Sequence, residues 1–473
     1  MSTDPERSIG FDLLARAREE YRSGSLRSAW TAVVAASAHA RAVGDPVLLA
    51  DAALVLTSEP LGEWDLAARR HALCAEALLR AADLDHDRVE RLHALQEVTR
   101  SAWTRDDAPV AAIAVDRPES LSAVLHARHR AAIGAGRPQD SLAIADDLAA
   151  LAAATARRED AAWAALWRLD AYCRLGDRLR LDSGMMALAS IAAELDSPAW
   201  RWRLAAAQTT VALLDGYVDD VAGRAAEALR LGLEAGIDDA RFVDLIVRSA
   251  IAMQTGTALA AVETEIRHAL AGAPLFAQGW RAVVLLELGR TDDALTVWRA
   301  LAPRLPELPR DSLEWLVATA GFAALCTAAD DTASARYLVE MLTPAAEQHV
   351  TAGILTPYEG PVALALGSLA VTLGDREAAR SHYAAALRLS EEMHAPYFAA
   401  RARSALDALA GRVGPLTARE NDIALLVADG LTNRQIATRL YISERTVENH
   451  VGHILRKLDA WGRAGIAARI AGR

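Results

Sequence analysis

Three groups of side chains in this sequence have types and spacings that could do chemistry. The first is a set of aspartate pairs, Asp219-Asp220, Asp292-Asp293 and Asp330-Asp331. Paired carboxylates in a helical protein can hold a divalent cation against a diphosphate. The second is His126 with His129 and His450 with His453, each three residues apart, and His71 with Cys74 spaced likewise. Two ligands one helical turn apart can begin a zinc site. Each pair lacks a third ligand nearby in sequence, so packed or solvated histidines are the plainer reading. The third group is Trp163, Trp167, Trp200 and Trp202, with Arg201 and Arg203 between and beside the last pair. Planar side chains beside arginine can line a groove for an apolar or anionic ligand. The competing reading is tryptophan filling gaps between alanine-rich helices. No Ser/His/Asp or Cys/His signature stands out. The expectation is a protein that is not an enzyme, with no metal and no cofactor.

The elements that must position these groups follow from composition. The chain has 473 residues, 52% of them hydrophobic, 5% aromatic and 24% charged. Alanine and leucine dominate, which favours helix and argues against disorder. Only one lysine occurs, Lys457, so any motif that needs a lysine elsewhere is excluded. Cys74, Cys173 and Cys326 are far apart and odd in number. That fits reduced cytosolic thiols and not a disulfide framework. No apolar h-region occurs in the first thirty residues, and no apolar run reaches the ~18 residues of a membrane span. A cytoplasmic protein with no membrane contact is expected.

Glycines punctuate the body at Gly24, Gly62, Gly136, Gly176, Gly216, Gly256, Gly289 and Gly374. The spacings are 38, 74, 40, 40, 40, 33 and 85 residues. Two are about double the rest, so turns are expected near Asp106-Asp107 and Ala329-Asp330. Five residues after the glycine comes Ala29, Ala67, Ser141, Ala294 or Ala379. Nine after it comes Val33, His71, Ala145, Trp298 or Tyr383, and twelve after it Ala36, Cys74, Leu148, Leu301 or Ala386. That rhythm is one face of a helix. Each unit therefore reads as helix, glycine turn, helix. In this frame the aspartate pairs follow the turns, where capping the next helix explains them better than metal binding.

The frame resembles the tetratricopeptide repeat, most closely at Leu373-Gly374-Asp375, Ala379, Tyr383 and Ala386-Leu387. Units near 40 residues are longer than the usual ~34. The expected fold class is all-α. Residues 1–410 are expected to form a TPR-like α-solenoid of about ten helical hairpins, a signal- or partner-binding domain.

Gly411, Gly414 and Pro415 then stop the last helix, and residues 411–415 read as a linker. From Gly414 onward there are nine basic and six acidic residues, against 42 and 56 before it. A small basic module on an acidic body points to nucleic acid at the C-terminus alone. Thr417 and Glu420 have capping-box spacing, Asp429-Gly430 ends a first helix, Thr432 caps a second and Ser443 a third. Short helices joined by a tight turn, then a longer capped one, form a helix-turn-helix.

Residues 416–463 resemble the LuxR-type (GerE-like) DNA-binding domain. The resemblance rests on Leu416-Thr417, Arg419-Glu420, Gly430-Leu431-Thr432-Asn433, Ile436-Ala437, Leu440, Ile442-Ser443, Arg445-Thr446-Val447, Asn449-His450, Ile454, Arg456-Lys457-Leu458 and Arg463. It implies a four-helix domain over 416–473 whose third helix enters the major groove. Glu448, Asn449 and Gly452 then face bases, where asparagine can pair with adenine and glutamate can accept from cytosine. Asn433, Arg434, Ser443, Thr446, Arg456 and Lys457 become the phosphate contacts. His450 touches phosphate or packs, and His453 lies beside the base-facing residues. Val447, Val451, Ile454 and Leu458 become the buried side. Some family members carry lysine at the positions of Glu448 and Gly452, and Asp459 stands where the family has glycine.

Large LuxR regulators with helical repeats usually carry an ATPase domain. Its phosphate loop needs a lysine, so the chain resembles such a regulator without the ATPase. The reading is a sequence-specific transcriptional regulator whose repeat domain senses a ligand or protein partner. The implied partners are double-stranded DNA, RNA polymerase, and a small-molecule, peptide or protein effector, with a homodimer as one assembly. The alternative is a TPR-like interaction scaffold with weak, secondary DNA binding.

Overall fold

The structure is a computed structural model. It describes residues 5–23, 26–56, 66–101, most of 121–132, 137–308, 314–410, 416, 418–440 and 442–471. The fold is all-α: helices follow one another through short turns and no strand forms among the described residues. Each helix packs on its neighbour in the chain, and Trp315–Ala328 also packs on both Gln278–Glu287 and Val362–Thr372.

The turn glycines serve the purpose their spacing implies. Gly176, Gly216, Gly256, Gly289 and Gly374 have φ between +71° and +79°. A side chain is strained in that region. The turn near Ala329-Asp330 is present, with Asp330 itself left-handed at φ +49°. Gly24, Gly62, Gly136 and Asp106-Asp107 lie outside the described residues. Behind the turns the packing frame is buried: Ala294, Trp298 and Leu301 in one unit, and Ala379, Tyr383 and Ala386 in another. Tyr383 reaches its place over Gly367, where a Cβ would sit 2.5 Å from the ring.

The aspartate pairs divide. Asp331 caps Thr332–Leu342, accepting from Ser334 N at 3.0 Å. Asp292 and Asp293 lie one step later, in the first turn of Thr291–Leu301, where negative charge suits the helix dipole without a cap bond. Asp220 instead pairs with Arg224 at 2.5 Å. Single aspartates, Asp177 and Asp375, do the capping elsewhere. No group of three metal-ligating side chains occurs among the described residues.

One segment interrupts the run of helices. Between Thr343–Ala345 and Val362–Thr372 the chain forms an irregular strap held by a His349–Pro361 bridge. Val350 N donates to Gly360 O at 2.8 Å, and Glu359 N to Val350 O at 2.9 Å. The strap reaches back across the array. His349 N donates to Arg174 O at 2.9 Å, and a Cβ on Gly176 would lie 2.5 Å from His349 Nε2. Ile354 and Tyr358 share a core with Leu169, Leu181 and Trp200, and Met393 and Phe398 join it. Arg178 donates to Met393 O at 3.2 Å, and Tyr397 Oη to Met253 O at 3.3 Å. Units far apart in sequence are thereby tied together.

The three cysteines are buried and free. Burial pushes the thiol of Cys74 up to about 11 and those of Cys173 and Cys326 to about 12, so they stay protonated. No helix among the described residues is long and apolar enough to cross a membrane.

Candidate nucleic-acid interface

Four helices close the chain: Ala418–Ala428, Asn433–Leu440, Glu444–Lys457 and Gly462–Ala471. They bury a core of their own, in which Leu416, Ile423, Val427, Ile436, Val447, Ile454 and Ile466 meet. The 411–415 linker and Thr417 lie outside the described residues. The capping-box geometry is seen one helix later. Thr432 Oγ1 accepts from Gln435 N at 3.3 Å, and Gln435 Oε1 accepts from Thr432 N at 2.8 Å. Arg419 donates to Leu440 O at 2.8 Å, closing the far end of the same helix.

The third helix is amphipathic. Val447, Val451 and Ile454 face the core, and Leu458 is half-buried at its end. Glu444, Arg445, Glu448, Asn449, Gly452, His453, Arg456 and Lys457 are exposed on the other side, and His450 is half-buried. Ser443 caps the helix, accepting from Thr446 N at 3.1 Å, and its hydroxyl lies 2.7 Å from Thr446 Oγ1. Beside Gly452 a Cβ would meet nothing within 4 Å. Arg434, Arg445 and Arg456 are exposed and make no ion pair among the described residues, whereas arginines of the body commonly do.

Two of the expected phosphate contacts are held from within. Lys457 Nζ donates to Glu420 Oε2 at 2.7 Å. Glu420 is only 4% exposed, and His453 Nδ1 lies 3.9 Å from its other oxygen. Lys457 therefore has a partner inside the module: a buried carboxylate needs a cation, and Lys457 supplies it. Asn433 Oδ1 accepts from Arg463 at 2.6 Å, and Arg463 also donates to Leu431 O. This bond fixes the Asn433 amide, and its nitrogen has no partner among the described residues. Arg445 was read from sequence only as part of the resemblance, yet it is as exposed as Arg434 and equally without an ion pair among the described residues.

Asp459 adopts φ +46° in the turn before the fourth helix, the conformation that explains glycine at that position in the LuxR family. Gly465 lies close to the same turn, where a Cβ would meet Ala460 Cβ at 3.3 Å.

The tryptophans form a second cluster. Trp167, Trp200 and Trp202 are buried, and Trp163 is half-buried. His129 stacks on Trp167 at 3.8 Å, and His126 meets Trp167 edge-on at 4.6 Å. These histidines are packed against rings, and burial holds His126 down at about 4. Arg203 lies over Trp163, Trp200 and Trp202, at 4.7, 5.0 and 5.9 Å from the ring centres. Arg201 does not join them: it is exposed and pairs with Asp196 at 3.5 Å.

A helix-turn-helix with an exposed polar recognition face defines a DNA-binding module. Residues 414–470 match the family described as bacterial regulatory proteins, luxR family (GerE), and form a LuxR-family helix-turn-helix domain. The chain is 35% identical over 103 residues to an HTH-type transcriptional regulator of Mycobacterium bovis, covering 22% of this chain and 11% of that protein. It is 43% identical over 88 residues to the nitrate/nitrite response regulator protein NarL of Escherichia coli, covering 18% and 40%. It is 52% identical over 44 residues to the transcriptional regulatory protein DegU of Brevibacillus brevis, covering 9% and 19%. The matched stretch thus spans about a tenth of the mycobacterial relative and less than half of NarL.

Proposed function

We propose that this protein is a sequence-specific transcriptional regulator. Its third C-terminal helix reads the major groove and its helical body senses an effector. One observation carries the reading: the helix Glu444–Lys457 is fixed to the module core along one face and presents Glu448, Asn449 and Gly452 to solvent along the other. Asn449 pairs with a base, with Glu448 beside it. Arg434, Arg445, Arg456, Ser443, Thr446 and the Asn433 amide nitrogen hold phosphate. RNA polymerase is the proposed downstream partner, and a homodimer the proposed DNA-bound form.

The bound sequence comes from selection on random duplexes, followed by fluorescence anisotropy on the selected and scrambled duplexes. The expected result is retention of the selected duplex at a salt concentration that releases the scrambled one. Equal affinity for both at every salt concentration sinks the regulator reading and favours the interaction scaffold.

A further inference from the structure

We propose that Arg203 and the tryptophans around it form a binding site for a small organic carboxylate with a planar apolar body. Arg203 lies on Pro198–Leu214, between the faces of Trp163, Trp200 and Trp202. Indole faces attract a guanidinium but accept its N–H groups only weakly. Among the described residues Arg203 makes no conventional hydrogen bond or ion pair, only the ring contacts. Arg178 and Arg281, comparably enclosed, each hold a carboxylate. Arg203 is thus half-buried against aromatic faces with no carboxylate paired to it among the described residues. Burial lowers its proton affinity, and Glu159, Tyr21 and Asp239 act at longer range in the opposite sense.

The occupant's chemistry follows. A guanidinium fork matches a carboxylate through two parallel N–H bonds. One cation neutralises a single negative charge. The nearest arginine in sequence, Arg201, is turned to Asp196, so a dianionic phosphate would lack a second partner. Trp163 is the least buried of the three rings, so it is the one an apolar plane would pack against. His126 borders the same ring, 5.7 Å from Trp163, and stays neutral.

The site deepens the sensing role proposed above, and its regulatory half rests on that reading. The test uses calorimetry on the full chain with benzoate and 2-naphthoate, each against its uncharged amide. At least one acid should bind one-to-one, with its amide at least tenfold weaker. Arg203→Gln should weaken the acid at least tenfold with helical circular dichroism unchanged, and Arg203→Lys should fall between. The site is overturned if neither acid binds, if acid and amide bind alike, or if Arg203→Gln binds as wild type. Should Arg203→Gln lose its helicity, the acid–amide comparison on wild type decides. DNA anisotropy with and without the bound acid then separates the two ideas. A shift in affinity supports sensing at this site, whereas unchanged affinity removes the sensing role and leaves the site. Loss of all duplex preference would refute the regulator reading without touching the site.

Discussion

Lys457 and Glu420 form a 2.7 Å ion pair that joins the end of the third helix to the start of the first. The single lysine of the chain is thus part of the module's framework. Removing it takes the 2.7 Å cation away from a buried carboxylate.

Lys457→Ala should therefore destabilise the C-terminal module by about 1–3 kcal/mol, less than a fully buried pair because the lysine itself is 37% exposed. Pairing it with Glu420→Gln should recover part of the loss. A double-mutant cycle by urea denaturation measures the coupling. The salt slope of DNA binding should change by less than one unit, in contrast to loss of a phosphate contact.

Asn449 and Arg456 should fail differently. Asn449→Ala is expected to cost about 1–3 kcal/mol on the selected duplex and to relax the preference at one base pair. Arg456→Ala should weaken selected and scrambled duplexes alike and lower the salt slope by about one unit. Anisotropy across a salt series distinguishes them. Parallel losses on both duplexes for both variants would remove the groove-facing assignment.

Gly452 offers the reverse experiment. Open space surrounds its missing side chain, so Gly452→Lys should fold as wild type. On DNA it should raise affinity and steepen the salt slope by about one unit. An unchanged slope would place this face away from the duplex.

His349 should make the body sensitive to acid. Burial holds its imidazole at about 4, against an ordinary 6.5, and Tyr358 Oη lies 2.8 Å from Nδ1. As pH falls below 6.5 the unfolded chain takes up a proton that the folded chain refuses. Stability is therefore lost between about 6.5 and 4, by about 3 kcal/mol at most. His126 acts in the same sense, and Asp170, whose carboxyl is pushed up to about 6 by burial, in the opposite one. The difference between wild type and His349→Gln isolates one residue. Urea midpoints should converge as pH falls across this window, and parallel curves would count against it.

A chain truncated after Gly411 should remain helical and resist aggregation, because the C-terminal core is made of its own residues. Aggregation of the truncated chain alone would mean that the two parts share a core.

What was legible in the sequence was local. Ala294, Trp298 and Leu301 lie on one helical face, so their burial shows in their spacing. The exposed face of the recognition helix was readable because Val447, Val451 and Ile454 mark its opposite side. The strap was not. It has no helical period, and the partner of His349 lies 175 residues earlier, at Arg174. The partner of Lys457 was hidden for a similar reason: its type suits phosphate, while the carboxylate that holds it is 37 residues away. Arg201 and Arg203 look equivalent on paper, but a helix turns by ~100° per residue, and two steps carry one into the tryptophans and the other to solvent.

Helical repeats that touch only their neighbours can unravel from an end, one unit at a time. The bonds from His349 to Arg174, Arg178 to Met393 and Tyr397 to Met253 remove that route. Fraying the last hairpin would strip the core around Leu169 and Leu181 as well. The stretch from Arg158 to Leu409 should therefore melt in one cooperative step, a closed loop of contacts with no free end from which to unzip.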